Sequence, residues 1–157
     1  MNNKINKLID DCRMDSGKTQ ESFTIITLII ENFVLKNNQN ILTNFYGFSD
    51  QDLELSEADY LYLINELKVI IKIENKYSYL AAWALSKTND TDIYNYLKLI
   101  LEERYKQDVL LTKQILLGIS SDYFKDSLSL LERMKKDVSD TDVIKIINDI
   151  QRVLKSL

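Results

Sequence analysis

The chain has 157 residues, of which 24 are acidic, 20 are basic and 45% are hydrophobic, and its formal net charge is −4. This length and apolar content suffice for one ordinary globular domain. Histidine and proline are absent and cysteine occurs once. That composition excludes histidine-based catalytic triads, histidine-ligated zinc and an intramolecular disulfide. We therefore expect a helical protein that is not an enzyme, with no catalytic residue, no cofactor and no metal.

The start of the chain and its longest apolar stretch bear on location. Residues 1–15 carry charges throughout their apolar part, which is unlike a secretory signal peptide. The longest apolar-rich stretch, 23–35, spans 13 residues, whereas a membrane-spanning helix needs about 20. The acidic balance also argues against direct nucleic-acid binding, which depends on clustered Lys and Arg. The sequence predicts a cytoplasmic protein that binds neither membranes nor nucleic acids.

Helical periodicity begins near the N-terminus. The first amphipathic pattern is formed by Ile5, Leu8, Ile9 and Cys12. Because Cys12 lies on the apolar face, we expect its thiol to be buried and inert. The next helix, predicted from Thr19 to Lys36, is apolar around most of its circumference and should lie centrally, covered on several sides.

The segment 37–59 is the least regular part of the chain and is predicted to be an irregular acidic connection within the N-terminal helices. Ser56 opens the sequence S-E-A-D, a variant of the capping box, so a helix is expected to restart there. The β-branched residues in 67–73 also permit a strand. Helix is preferred because the chain offers no convincing second strand for pairing.

The second half shows a weak internal repeat. Ile93, Leu97 and Ile100 are followed 31 residues later by Phe124, Leu128 and Leu131. This spacing predicts two successive helical hairpins over 77–106 and 108–137, with Asp90 capping the second helix of the first hairpin. An amphipathic final helix over 143–157 follows.

Together these elements predict a single all-α domain over residues 1–157. It would comprise N-terminal helices over 1–73 and helical-hairpin repeats over 77–157. Short polar turns favour antiparallel neighbours, which can stack as a short HEAT-like α-solenoid that the last helix caps. A closed helical bundle is the alternative.

One segment is strongly acidic. The 31 residues between Lys36 and Lys68 hold six acids and no Lys or Arg, and aromatic residues are interleaved with the acids. Rings supply contact area and carboxylates steer a cationic protein, so this segment is a candidate partner-binding site. The alternative is a solvated loop with its Phe side chains folded onto the core. The candidate residues are Phe45, Tyr46, Phe48, Asp50, Asp52, Glu54, Glu57, Asp59 and Tyr62.

Other residue groups have simpler interpretations. The acids at 50, 52 and 54 resemble the start of a calcium loop, but positions 6 and 12 of that loop would be Leu55 and Leu61 instead of Gly and Glu. Acid pairs such as Asp140 and Asp142 lie where helix caps are needed. Trp83, which lies among alanines, is expected to pack between helices, with a role as a ligand anchor as the alternative.

The stretch 77–157, with its hairpin turns A-L-S-K-T-N-D and L-L-G-I-S-S-D, resembles small HEAT-like bacterial immunity proteins of contact-dependent growth-inhibition and polymorphic-toxin systems. The small size, the Asn/Ile/Lys/Tyr-rich composition and the acidic balance are similar too. The resemblance implies that the chain binds a cognate toxin domain with a basic surface, such as a nuclease, and blocks it. A helical-repeat scaffold or regulatory binding protein is the alternative.

Overall fold

In the computed structural model, which describes residues 2–157, every regular element is a helix. The all-α class predicted from the sequence is therefore confirmed. The elements, in chain order, are α1 (Asn3–Arg13), α2 (Thr19–Leu35), α3 (Gln39–Tyr46), α4 (Asp50–Leu53), α5 (Glu57–Lys72), α6 (Ser78–Ser86), α7 (Thr91–Arg104), α8 (Val109–Gly118), a 3₁₀ helix (Ser121–Ser127), α9 (Leu128–Asp137) and α10 (Thr141–Ser156).

Polar side chains define the starts of the longer helices. The Ser56 hydroxyl accepts a hydrogen bond from the Asp59 N–H at 3.1 Å at the start of α5. The Asp90 carboxylate accepts the Asp92 N–H at 2.8 Å at the start of α7. Both predicted caps are confirmed, and each satisfies an N–H that has no partner within the helix. Because α5 continues to Lys72, the strand considered over 67–73 is excluded.

The segment 37–59 is more regular than its sequence predicts. It contains the short helices α3 and α4, so the expectation of an irregular connection from residue 37 to 59 was wrong. Gly47, at φ +67°, ends α3 in the left-handed conformation that glycine adopts without strain. Ser49 then forms a reciprocal capping box with Asp52 and starts α4. The limits of these two helices are set by local capping, which cannot be predicted from hydrophobic periodicity.

The chain folds as two compact units, the first ending at Asn89 and the second spanning Asp90–Leu157. In the first, unit 1, α2 packs against α1, α3 and α6, and α5 packs against α1 and α6. The predicted central position of α2 is thus confirmed within this unit. Fully buried side chains fill its core, including Phe23, Ile30, Leu63, Leu67 and Leu85.

In the second unit, unit 2, α10 packs against α8, α9 and the 3₁₀ helix, and α7 packs against α8. The amphipathic pattern of α10 is confirmed, since Val143, Ile147 and Ile150 are buried and the charged residues between them are exposed. The predicted helix around Phe124 differs in its first turns, which form the 3₁₀ helix. The Lys98 ammonium holds this turn by donating to the Tyr123 carbonyl at 2.9 Å.

The unit boundary bears on the predicted hairpins. The sequence places a subdivision between residues 73 and 77, whereas α6 packs with α5 and α2 in unit 1. The reason is the small-residue surface of α6, where Ala81, Ala82 and Ala84 are fully buried and allow close approach. The two helices of the stretch 77–106 thus lie in different units. The choice between a stacked array and a closed bundle stays a prediction.

Candidate protein-binding surface

The acids of the candidate site lie at the starts of two consecutive helices. Asp50 and Asp52 belong to the first turn of α4, and Glu57 and Asp59 to the first turn of α5. Glu54 is the residue that ends α4. Carboxylates are favoured at these positions because the N-terminus of a helix carries a partial positive charge. Five negative charges therefore lie at or beside helix starts within one ten-residue stretch of unit 1.

Lys4, on α1, holds this stretch in place. Its ammonium contacts the Asp52 carboxylate at 2.6 Å and the Gly47 carbonyl at 2.8 Å. It also lies 5.1 Å from the centre of the Phe48 ring. The hydrogen bond from Lys4, with those from Ser49, lowers the pKa of Asp52 to about 2. Asp52 therefore has a structural role, because its carboxylate pairs with Lys4 and joins α4 to α1.

The remaining acids differ in how much of their charge is compensated. Glu66 forms an ion pair with Arg13. Asp50 accepts a hydrogen bond from the Gln39 amide at 2.7 Å, and Asp59 accepts one from the Ser56 hydroxyl at 2.8 Å. These neutral donors orient the two carboxylates without cancelling their charge. Glu54 and Glu57 are exposed.

The aromatic residues of the candidate site fall into three groups. Phe45 is 82% exposed at the end of α3. Tyr46 and Tyr62 are half-buried. Phe48 is only 6% exposed, so its inclusion among the partner-contacting residues is corrected. Its ring packs into unit 1 because the turn at Gly47 reverses the chain and directs position 48 inward.

Two exposed apolar side chains were missed by the sequence interpretation. Ile41 is 42% exposed and lies one helical turn before Phe45, on the same face of α3. Leu61 is 52% exposed on α5, one turn after Glu57. The four-residue spacing of Ile41 and Phe45 was a usable signal. Leu61 could have been found because it lies off the buried stripe that runs through Ile64 and Leu67.

Together, the exposed groups define what we call the acidic surface of unit 1: Ile41, Phe45, Asp50, Glu54 and Glu57. It presents an apolar pair on α3 and, on the chain that follows, acids whose charge is not cancelled by a basic side chain among the described residues; the Gln39–Asp50 hydrogen bond links the two parts. Exposed aromatic and aliphatic anchors with a charged rim are the composition of protein-binding surfaces.

The other residue groups considered above take structural positions. Cys12 is fully buried, and burial, with the nearby Asp11, raises the pKa of its thiol to about 12. The predicted burial of the thiol is therefore confirmed, and the raised pKa disfavours the reactive thiolate form. Asp140 and Asp142 contact Lys113 at 3.2 and 3.1 Å, and Asp140 caps α10. Within residues 2–157, no three acid or cysteine side chains are grouped as metal ligands.

The helices that the structure describes include none with both the length and the apolar character needed to cross a bilayer. Comparison with protein-family models, with curated proteins and with solved structures gives no match to this chain.

Proposed function

We propose that this protein is a cytoplasmic immunity protein, which binds a cognate toxin domain through the acidic surface of unit 1 and neutralises it. The toxin domain would carry a basic surface, as a nuclease does around its substrate cleft. The protein would act by occupying that cleft and not by turnover.

The observation that carries this proposal is the exposure of Phe45 and Ile41 on one face of α3, followed along the chain by uncompensated acids. Phe45 is 82% exposed and forms an apolar pair with Ile41, and exposed apolar groups with a polar rim are typical of protein interaction sites. Large aromatic side chains supply most of the binding energy at protein interfaces. Exposed carboxylates accelerate encounter with a cationic partner by electrostatic steering, an effect that weakens as salt rises.

The internal pairing of Asp52 with Lys4 sharpens the assignment. A binding surface works best when it is already ordered, because ordering it on contact reduces the affinity. Lys4 orders the chain between Phe45 and Asp52 in the free protein through its bonds to Gly47 and Asp52. Lys4 and Asp52 therefore position the surface, whereas Phe45, Glu54 and Glu57 would meet the partner.

The experiment uses the protein encoded by the neighbouring reading frame as the partner. We expect cells that produce its C-terminal domain to stop growing and to recover when this chain is co-produced. We expect the triple variant Asp50→Lys, Glu54→Lys and Glu57→Lys to associate with it at least tenfold more slowly at low salt.

A matched control carries the same change in net charge elsewhere. The triple variant Asp10→Lys, Glu21→Lys and Glu103→Lys alters exposed acids outside the acidic surface, and its association rate should stay close to wild type. Equal slowing by both variants would show that net charge, and not this surface, governs encounter. A stable complex with a partner that has no toxic activity would favour the scaffold alternative.

A further inference from the structure

A second feature of unit 1 involves other residues than the acidic surface and lies on the pair of helices α2 and α6. A groove of about 250 Å³ runs between them and is lined by Thr24, Thr27, Glu31, Leu80, Trp83 and Lys87. Surveyed small-molecule sites enclose about 300–1,000 Å³. This groove has the dimensions for one long side chain and not for a cofactor.

One of the residues that line the groove, Lys87, is itself a cation. The Lys87 ammonium lies 3.9 Å from the centre of the Trp83 ring and 3.7 Å from a Glu31 carboxylate oxygen. An indole face and a carboxylate are the two groups that together recognise an organic cation. The second Glu31 oxygen accepts a hydrogen bond from the Asn38 amide at 2.7 Å, which fixes the orientation of the carboxylate.

The other polar side chains of the groove are acceptors. Thr24 and Thr27 use their hydroxyl hydrogens in bonds to the carbonyls of Gln20 and Phe23, at 3.1 and 2.8 Å. Their oxygens therefore keep only acceptor lone pairs. Apart from Lys87 and the Trp83 indole N–H, the lining offers acceptors and apolar surface. A ligand rich in donors and positively charged is the chemical complement of such a lining.

We propose that this groove is a binding site for an arginine side chain of a protein partner, and that the ammonium of Lys87, a lining residue, takes the position between Trp83 and Glu31 as an internal substitute. A guanidinium is planar, so it stacks on the indole face, and its five N–H donors match the carboxylate and the two hydroxyl oxygens. It is also less strongly hydrated than an ammonium. On binding, the arginine displaces Lys87, which turns into solvent.

Competition by Lys87 lowers the apparent affinity, because a guanidinium can bind only to molecules in which the Lys87 ammonium has left the position between Trp83 and Glu31. Removing the Lys87 charge should therefore tighten arginine binding. This inference is independent of the proposed function, since it concerns different residues and is tested without the toxin.

The test titrates the full chain with N-acetyl-arginine amide while the fluorescence of Trp83, the only tryptophan, is recorded. We expect a saturable change that the Lys87→Met variant reaches at about tenfold lower concentration. The isosteric Glu31→Gln variant should lose the saturable change while its thermal unfolding shows that it is folded. Lys7→Met, a change at an exposed lysine of α1, should behave as wild type.

Two further probes complete the design, one without a charge and one with an ammonium in place of the guanidinium. N-acetyl-citrulline amide has the shape of arginine without its charge and should produce no saturable change. N-acetyl-lysine amide should bind at least fivefold more weakly than the arginine probe. Equal responses to citrulline or lysine, or an unchanged midpoint in Lys87→Met, would overturn the proposal.

Discussion

Helix α10 of unit 2 and the corner that α3 and α4 form in unit 1 (residues 39–53) both contain many polar residues, yet different forces hold them. The α10 helix buries Val143, Ile147 and Ile150 in one regular stripe. The α3–α4 corner buries Leu42 and Phe48 and depends on polar contacts from Lys4. A corner held in this way leaves its other apolar side chains free to face outward.

The two regions also differ in whether their acidic side chains have basic partners. Around α10, Asp140 and Asp142 contact Lys113, and Asp149 pairs with Arg152 at 3.0 Å. In the acidic surface, Glu54 and Glu57 lie exposed with no Lys or Arg in the surrounding sequence. The acids around α10 are thus compensated by nearby cations, whereas Glu54 and Glu57 have no basic partner among the described residues.

The largest expected effect is a loss of stability in the α10 stripe. Ile147→Ala should lower the free energy of unfolding by about 3 kcal/mol, because it removes a fully buried side chain and leaves a cavity. Denaturant titration measures this. The control Val153→Ala, on the exposed side of α10, should change stability by less than about 0.5 kcal/mol. Similar losses in both variants would refute the one-sided burial of α10.

The next effect concerns binding and not stability. Phe45→Ala should leave the unfolding free energy within about 0.5 kcal/mol of wild type, since the ring is exposed. It should weaken binding to the partner by about 2 kcal/mol, or roughly thirtyfold in Kd. Titration calorimetry measures the affinity, with Leu99→Ala, at 61% exposure in unit 2, as the control. A wild-type affinity for Phe45→Ala would remove this ring from the interface.

The smallest effect is a pH dependence of the α3–α4 corner. The folded pKa of Asp52 is about 2, below its ordinary value of 3.8. Its ionised form therefore adds stability above about pH 4 and loses that contribution as the pH falls from about 4 to 2. Asp52→Asn should show a shallower fall of the thermal unfolding midpoint across this range than wild type.

The same experiment can test which partner causes the shift. Lys4→Met should make the profile shallower than wild type but less so than Asp52→Asn, because the hydrogen bonds from Ser49 to the carboxylate remain. The double variant should have the pH profile of Asp52→Asn, because without the carboxylate Lys4 no longer contributes to the pH dependence. An unchanged profile in Lys4→Met would mean that the hydrogen bonds from Ser49, and not Lys4, dominate the stabilisation of the Asp52 carboxylate.

The helices with a regular apolar stripe could be predicted from the sequence. The patterns around Ile5 and Val143 correctly indicated α1 and α10, and the caps at Ser56 and Asp90 correctly indicated helix starts. The short helices α3 and α4 were missed, because each has too few turns to show a period. Their limits are set instead by one glycine conformation and one capping box.

The candidate site was only partly predictable for a related reason. The lack of basic residues between Lys36 and Lys68 is a property of the linear chain, so the acidic segment was evident. Exposure is decided by contacts with distant residues. Phe45 and Phe48 look alike in the sequence, yet one ring is exposed and the other is buried beneath Lys4.

The order of residues alone thus determined the helical class, the main helix limits and the position of the acidic segment, because these depend on short-range periodicity and composition. Tertiary packing decided which acids keep their charge free, which ring faces outward and that Lys87 lies between Trp83 and Glu31. These outcomes depend on contacts with side chains from separate helices, so the local spacing of residues carries only part of the signal for them.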